Sequence, residues 1–503
     1  MAMISITEAS KKWGISCRRI QVLCKEGRIA GAELVGTYWT IPDSSPKPID
    51  GRSSRYSKVE KLPSCQYTSI DLFCGPGGLA TGFKWAGIKA LIAVEWSYWT
   101  VQTYSKSHNA DVFNLEEYLS GTMENPEQYF VPNDRTLLIF GDINKVEGSL
   151  IKKILKERFG RTSVDIVTGG APCESFSMAG DRKEDDDRNF LYQNVLRIAR
   201  AVNSKMFLFE NVKGLFSKKF NGVAGAMYEH ILEEFESPSK NGVKFVLSSK
   251  DKKVVLLKAV DYGVPQARER LILVGTNSKY PKLKFNYPTK THGPERQYPY
   301  VTVEEAIMDL PQITMGLEDN VYTFDLNSVR EPERANFLRR MRGDLSMAPD
   351  TFSQNTLYNH KAPGHTKKMF QRITLIRQGE GMQDAYERLI AEGKQDLVDQ
   401  CFPKKIYMSR NRRLMPTEPS CTITSQCLDE LIHPYLNRGM SPREVARLQS
   451  FPDWYQFQGP YVKFHSDPEQ DQYEQIGDAI PPLLGLALGA EVVEALKRLD
   501  AKH

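Results

Sequence analysis

The chain has 503 residues, more than one small domain needs, so one large domain with additions is the expectation. Hydrophobic residues make up 41% and charged residues 26%, an ordinary globular composition. Net charge is +5 with a pI near 8.5, which is compatible with a nucleic-acid partner without requiring one. The N-terminus MAMISITEASKK lacks the apolar core of a signal peptide, and no uninterrupted apolar run approaches 18 residues. A cytoplasmic protein without a membrane span is expected. The eight cysteines include no CxxC pair and no accompanying histidine cluster, so neither a metal site nor a disulfide framework is expected.

Residues 1–44 are compact and basic. ITEASKKWG predicts a short helix with Thr7 as N-cap, and ISCRRIQVLCKEG a second with Ser16 as N-cap. RIAGAELVGTYWTIP then alternates like a hairpin that closes near Val35 and Gly36. Two helices and a β-wing resemble the small excisionase-like and MerR-like winged helix-turn-helix domains. Arg18, Arg19, Lys25 and Arg28 cluster on and after the second helix, where they would meet DNA phosphates. A docking or oligomerisation helix is the alternative. Residues 45–66, rich in Ser, Pro and charge, read as a linker.

From 67 to 280, apolar strands alternate with helical stretches: TSIDLFCG, ALIAVEW, TLLIFGDI, VDIVTGG, MFLFENV, KVVLLKAV and RLILVG. That alternation predicts an α/β fold with a mainly parallel sheet. Residues 281–410 are irregular, and 411–503 return to order, ending in a helical ALGAEVVEALKRL. Three strand ends in succession offer a Gly-rich turn (Gly75, Gly77, Gly78), an acid with an aromatic (Glu95, Trp96) and an acid (Asp142). In an open parallel sheet such ends line the ligand crevice, and the phosphate-binding Lys of GxxxxGK[ST] is absent. An adenosine ligand without a triphosphate fits best. Cys173 follows the fourth strand end in GGAPCESFSMAG, a Gly, Pro and Ser loop suited to a nucleophilic thiol rather than a packed one. The next strand ends in Glu210, a carboxyl beside a thiol. Gln266, Arg268 and Arg270 alternate in QARER, which on an extended strand would put them on one face, suited to an anionic substrate.

IDLFCGPGG, PCESFS, ENV, QARER, RRLMPTEPSCTIT and QIGDAIPP stand in the order of the DNA cytosine-5 methyltransferase family, which the chain resembles over roughly residues 67–497. The resemblance implies a Rossmann-like, S-adenosylmethionine-dependent methyltransferase fold with a mixed, mainly parallel sheet. It makes 67–280 and 411–503 the catalytic domain and 281–410 a smaller, irregular target recognition domain. It implies Cys173 as the nucleophile at carbon 6 of a flipped cytosine, Glu210 as the acid at ring nitrogen 3, Arg268 steadying the base and Arg270 holding the loop. It places Phe73, Pro76, Gly77, Gly78, Glu95, Trp96, Asp142, Ile143, Leu191, Asp478 and Ile480 around S-adenosylmethionine. It places Glu174, Ser175, Ser177 and Gln266 near DNA. The sequence departs from the family's PPCQGFS at Ala171, Glu174 and Ser175, and from its QxGN at Asp478, which bears on rate more than on reaction type.

The expected function is a sequence-specific DNA methyltransferase of restriction-modification or phage-defence type. It would act on double-stranded DNA as a monomer in the cytoplasm, near the nucleoid, alongside a cognate endonuclease or that enzyme's promoter. A tRNA methyltransferase and a DNA-binding regulator with an inactive fold are the alternatives. Lys368, Arg372, Arg377, Gln378 and the turn Gly379–Gly381 are the candidate recognition residues.

Overall fold

The computed structural model describes residues 3–13, 16–25, 29, 31–36, 38–45, 65–171, 190–239, 242–322, 336–343, 355–408, 410–463 and 469–501. The chain divides into two compact units, Met1–Lys61 and Leu62–His503.

The first unit holds strand β1 (Met3–Ser5), helices Ile6–Trp13 and Cys17–Lys25, and strands β2 (Glu33–Val35) and β3 (Tyr38–Pro42). The sheet order is β1-β3-β2, with Val35 opposite Tyr38 across the tight turn that the alternation predicted. β1 is an addition that the sequence pattern did not announce. The first helix begins one residue before Thr7. Ser5 and Glu8 cap it reciprocally, Glu8 N–H donating to Ser5 Oγ at 3.3 Å and Ser5 N–H to Glu8 Oε2 at 2.8 Å. Ala9, Trp13, Ile20, Leu23, Cys24, Ile29 and Ile41 form its core.

The second unit is built on a nine-stranded sheet. Its strands are β4 (Tyr67–Leu72), β5 (Ile88–Glu95), β6 (Asp111–Asn114), β7 (Leu137–Phe140), β8 (Ile166–Gly170) and β9 (Met206–Val212). After a small separate hairpin, β10 (Lys219–Phe220) and β11 (Val223–Ala224), come β12 (Phe245–Leu247), β13 (Leu256–Lys258) and β14 (Glu269–Asn277). The order is β12-β14-β9-β8-β4-β5-β7-β6, with β13 also on β14. From β9 to β6 every pairing is parallel, while β14 runs antiparallel to β9. The chain leaves β4 in one direction and returns to β8 on its other side. The β4/β8 boundary is therefore the switch point, and the crevice lies above their carboxyl ends.

Both faces of the sheet are covered. Helix Gly78–Ala86 packs on the long C-terminal helix Pro482–Asp500, and their approach is close enough that a Cβ at Gly82 would lie 2.3 Å from the Pro482 carbonyl oxygen. The stretch Gln472–Asp500 is apolar enough by composition to span a membrane, but its most apolar window is 61% buried, as a core helix is. Helices Lys367–Leu375, Met382–Ala391 and Gln395–Cys401 form a separate small core around Ile373, Met382, Leu389, Val398 and Phe402. The segment expected to be irregular thus carries its own helical nucleus.

Candidate active site

The turn after β4 is bent tightly. Phe73, Gly75 and Gly77 all have positive φ (53°, 53° and 98°). A buried carboxylate holds it. Glu95, at the end of neighbouring β5, accepts from Gly75 N–H at 2.9 Å, from Trp96 N–H at 2.9 Å and from Ser97 N–H at 3.1 Å. Burial pushes its pKa up, and the three backbone amides oppose that rise. Trp96 stands 65% exposed beside it. At the end of β7, Asp142 is exposed and accepts from Asn144 N–H at 2.9 Å, while Ile143 is buried. A Cβ at Gly75 would meet nothing within 4 Å, so the outer face of the turn is open. An open glycine turn, an exposed indole and an exposed carboxylate on three adjacent strand ends fit an adenosine-type cofactor.

Gly78 has another reason to be glycine. A Cβ there would fall 2.0 Å from the Ile480 carbonyl oxygen, so the C-terminal segment presses directly on the turn. Ile480 is half-buried, and Asp478 is exposed and accepts from Gln470 Nε2 at 2.8 Å. Leu191 is half-buried against the main core.

On the other side of the switch point, Glu210 is buried at the end of β9. Its Oε1 lies 2.9 Å from Arg270 Nε. Burial raises its pKa, and Arg270 and Arg268 partly offset the rise. A Cβ at Gly170 would come within 2.7 Å of Glu210 Oε2, so the end of β8 needs glycine to admit this carboxyl group. Asn211, whose side chain the sequence reading left without a role, donates from Nδ2 to the Ala171 carbonyl at 3.3 Å. It fixes the exit of β8 two residues before Cys173. Cys173, Glu174, Ser175 and Ser177 lie outside the described residues, as does Arg28.

The QARER residues do not share one strand face. β14 begins only at Glu269, and the three side chains go to different places. Gln266 is fully buried. Its Nε2 donates to Gln449 Oε1 at 2.9 Å and its Oε1 accepts from Ile423 N–H at 2.8 Å, so it braces the interior rather than facing a duplex. Arg268 donates to the carbonyls of Ile423 (2.6 Å) and Gly477 (2.8 Å), tying β14 to the C-terminal return. Arg270, expected to hold the loop, is the residue paired with Glu210. Hydrogen bonds between residues 155 and 209 positions apart leave no trace in local spacing.

Of the recognition candidates, Lys368 is exposed, and Arg377 is exposed with Glu392 at 3.3 Å. Arg372 is spent on the Cys401 carbonyl and Asn411 Oδ1, both at 2.9 Å. Gln378 donates to the Pro434 carbonyl at 3.1 Å, and Gly379 takes φ +81° in the turn. In the N-terminal unit Arg18 and Lys25 are exposed. Among the described residues no group of His, Cys, Asp and Glu is arranged to hold a metal.

The sheet order and the acid-lined switch point define an α/β methyltransferase fold. A solved Escherichia coli prophage protein, assigned as a DNA modification methyltransferase, shares that fold with TM-score 0.59 at 23% identity, covering 86% of this chain and all of its own. The profile of the C-5 cytosine-specific DNA methylases matches residues 67–125 and 128–494. The Type II methyltransferase M.DdeI of Desulfomicrobium norvegicum is 32% identical over 425 residues, covering 84% of this chain and 88% of the relative. M.AgeI of Thalassovita gelatinovora is 29% identical over 480 residues, covering 85% and 99%. The chain belongs to the C-5 cytosine-specific DNA methylase family and is a DNA cytosine methyltransferase. The matched region begins at residue 67, after the first unit.

Proposed function

We propose that Cys173 and Glu210 carry the reaction and that the three strand ends of β4, β5 and β7 hold S-adenosylmethionine. The observation that carries this reading is Glu210, a carboxyl buried at the crevice, held up in pKa by burial and paired with one guanidinium at 2.9 Å. Burial favours the protonated form of such a group, against the pull of Arg270, and a carboxyl so placed is suited to deliver a proton to a base that enters the site.

Cytosine carbon 5 is a poor nucleophile. The Cys173 thiolate adds to carbon 6, forming a carbon–sulfur bond, while Glu210 gives its proton to ring nitrogen 3 and carbon 5 becomes enamine-like. S-adenosylmethionine, when bound, supplies the methyl group that carbon 5 accepts. Transfer of the carbon 5 proton to solvent water then lets the carbon–sulfur bond break and expels the Cys173 thiolate, and the nitrogen 3 proton returns to Glu210. Arg270 restrains the Glu210 carboxyl, and Arg268 braces the strand behind it. Phe73, Pro76, Gly77 and Gly78 shape the cofactor turn, Glu95 and Trp96 serve the ribose and adenine, Asp142 and Ile143 the adenine edge. Leu191, Asp478 and Ile480 would close the pocket. The base must leave the duplex to reach these groups.

The relatives' designation as Type II methyltransferases supports a place in restriction-modification, protecting host DNA in the bacterial cytoplasm against a cognate endonuclease. The exposed Arg18 and Lys25 suit phosphate contacts by the N-terminal unit, at the methylated site or at a promoter.

The test is trapping on DNA that carries 5-fluorocytosine in the target. Fluorine cannot leave carbon 5 as a proton does, so with cofactor present the wild type should form a denaturant-stable protein–DNA species. Cys173→Ala should form none. A trapped species that persists in Cys173→Ala would sink the assignment.

A further inference from the structure

The Gly-rich turn is gripped from beneath by two side chains that no motif announces. Tyr455, fully buried, donates its hydroxyl hydrogen bond to the Pro76 carbonyl. His108 Nε2, at the end of helix Tyr98–His108, lies 3.0 Å from the same hydroxyl. A Cβ at Gly77 would come within 2.5 Å of His108 Nε2 and 2.7 Å of Tyr455 Oη, so these two groups occupy the space that a side chain at Gly77 would need. Burial drives the His108 pKa down to about 3, so the ring is neutral here. Tyr104 stacks on the His108 ring with centroids 4.4 Å apart.

Tyr455 is itself held from the far side. Arg443 donates to the carbonyls of Pro452 (3.0 Å) and Tyr455. Arg447 clasps Asp453 with two bonds of 2.6 Å, and Asp453 N–H donates to the Met341 carbonyl at 2.7 Å. The segment 451–457 is therefore a rigid strut that ends on the cofactor turn. Across the turn, Glu95 holds Gly75 N–H. Phe73, a non-glycine residue at φ 53° beside the two glycines, is costly to maintain without such restraints.

We propose that Tyr455 is a positioning residue for cofactor binding, fixing the Pro76–Gly77 peptide in its cofactor-competent geometry. This rests on the assignment of the turn to S-adenosylmethionine. It assigns Tyr455 no contact with either substrate.

Calorimetric titration of the full chain with S-adenosylhomocysteine, paired with steady-state methylation, tests it. Tyr455→Phe removes only the hydroxyl. Affinity for S-adenosylhomocysteine should fall about 10- to 100-fold and KM for S-adenosylmethionine should rise with it, while kcat at saturating cofactor stays within about threefold. Tyr104→Phe is the control. Its hydroxyl is buried without a hydrogen-bond partner among the described residues, and its loss should leave affinity unchanged. Should Tyr455→Phe not fold, His108→Gln removes the ring that supports the Tyr455 hydroxyl beneath the same peptide and should weaken binding in the same direction. Wild-type affinity in Tyr455→Phe, or a loss of kcat with affinity intact, overturns the proposal. A wild type that binds no S-adenosylhomocysteine removes the cofactor assignment itself, a distinct result.

Discussion

Two carboxylates face the crevice from opposite sides of the switch point, and they are held in different ways. Glu95, on the cofactor side, is surrounded by three backbone amides at 2.9–3.1 Å. Glu210, on the base side, has one guanidinium. Burial raises the pKa of both. The amides around Glu95 are fixed donors that cannot follow a moving proton, so Glu95 acts as a structural acceptor for the turn. The Arg270 side chain constrains one oxygen of Glu210 and leaves the other beside Gly170, where an incoming base could meet it. Similar burial thus goes with three fixed amides on one side and a single guanidinium on the other, the contrast behind the proposed roles of clamp and acid. Asp71, within β4 between them, is a third case. Its Oδ1 accepts from Thr168 Oγ1 at 2.8 Å, and its Oδ2 has no hydrogen-bond partner among the described residues.

The largest effect expected from this contrast is on the acid. Glu210→Gln keeps shape and hydrogen-bonding capacity but cannot deliver a proton, so methylation should fall by roughly 10²- to 10⁴-fold with cofactor affinity unchanged. Single-turnover kinetics beside calorimetry reads both. A variant that retains its rate would leave Glu210 as no more than a strand-end acid.

Next comes Asp71. Burial pushes its pKa from the usual 3.8 to about 7, against the Thr168 hydroxyl and with a further push from Glu95. A raised folded value means that the neutral form is favoured in the fold. That contribution is complete below about pH 3.8 and is lost as pH rises through about 7. Asp71→Asn stays neutral throughout. Its stability relative to wild type should therefore climb between about pH 4 and 7 and level off above, by on the order of 4 kcal/mol at most. Urea unfolding across that window measures it, and a pH-independent difference would show that Asp71 is already ionised in the fold.

The smallest effect is expected at the clamp. Glu95→Gln leaves one oxygen for three amides and should cost roughly 1–3 kcal/mol in unfolding free energy. Cofactor affinity should weaken, and kcat at saturating cofactor should change little. A large kcat defect with normal affinity would erase the distinction between clamp and acid.

Much of this was legible in the chain. The apolar runs ending in DLFCG, AVEW, LIFGD, IVTGG and LFENV all became parallel strands, because buried parallel strands are continuous apolar segments. KVVLLKAV did not become one strand. Asp251 accepts from Lys253 N–H at 2.8 Å and starts a short helix, Lys252–Val255, before β13. The edge strand β6 is only four residues long and gave no pattern. Glu95 and Glu210 were found by their strand-end positions, but their different partners were not, since Gly75 and Arg270 reach them by tertiary packing. Tyr455, 379 residues from Pro76, had no local signature at all.

The central claim is that this chain methylates cytosine in DNA through Cys173. The most direct measurement is base-resolution cytosine-methylation sequencing of DNA from a methylation-free host expressing either the wild type or Cys173→Ala. The account predicts one short motif marked at carbon 5 by the wild type and no marks from the mutant. Motif-specific marks surviving in Cys173→Ala, or none from soluble wild-type protein that binds S-adenosylhomocysteine, would contradict it.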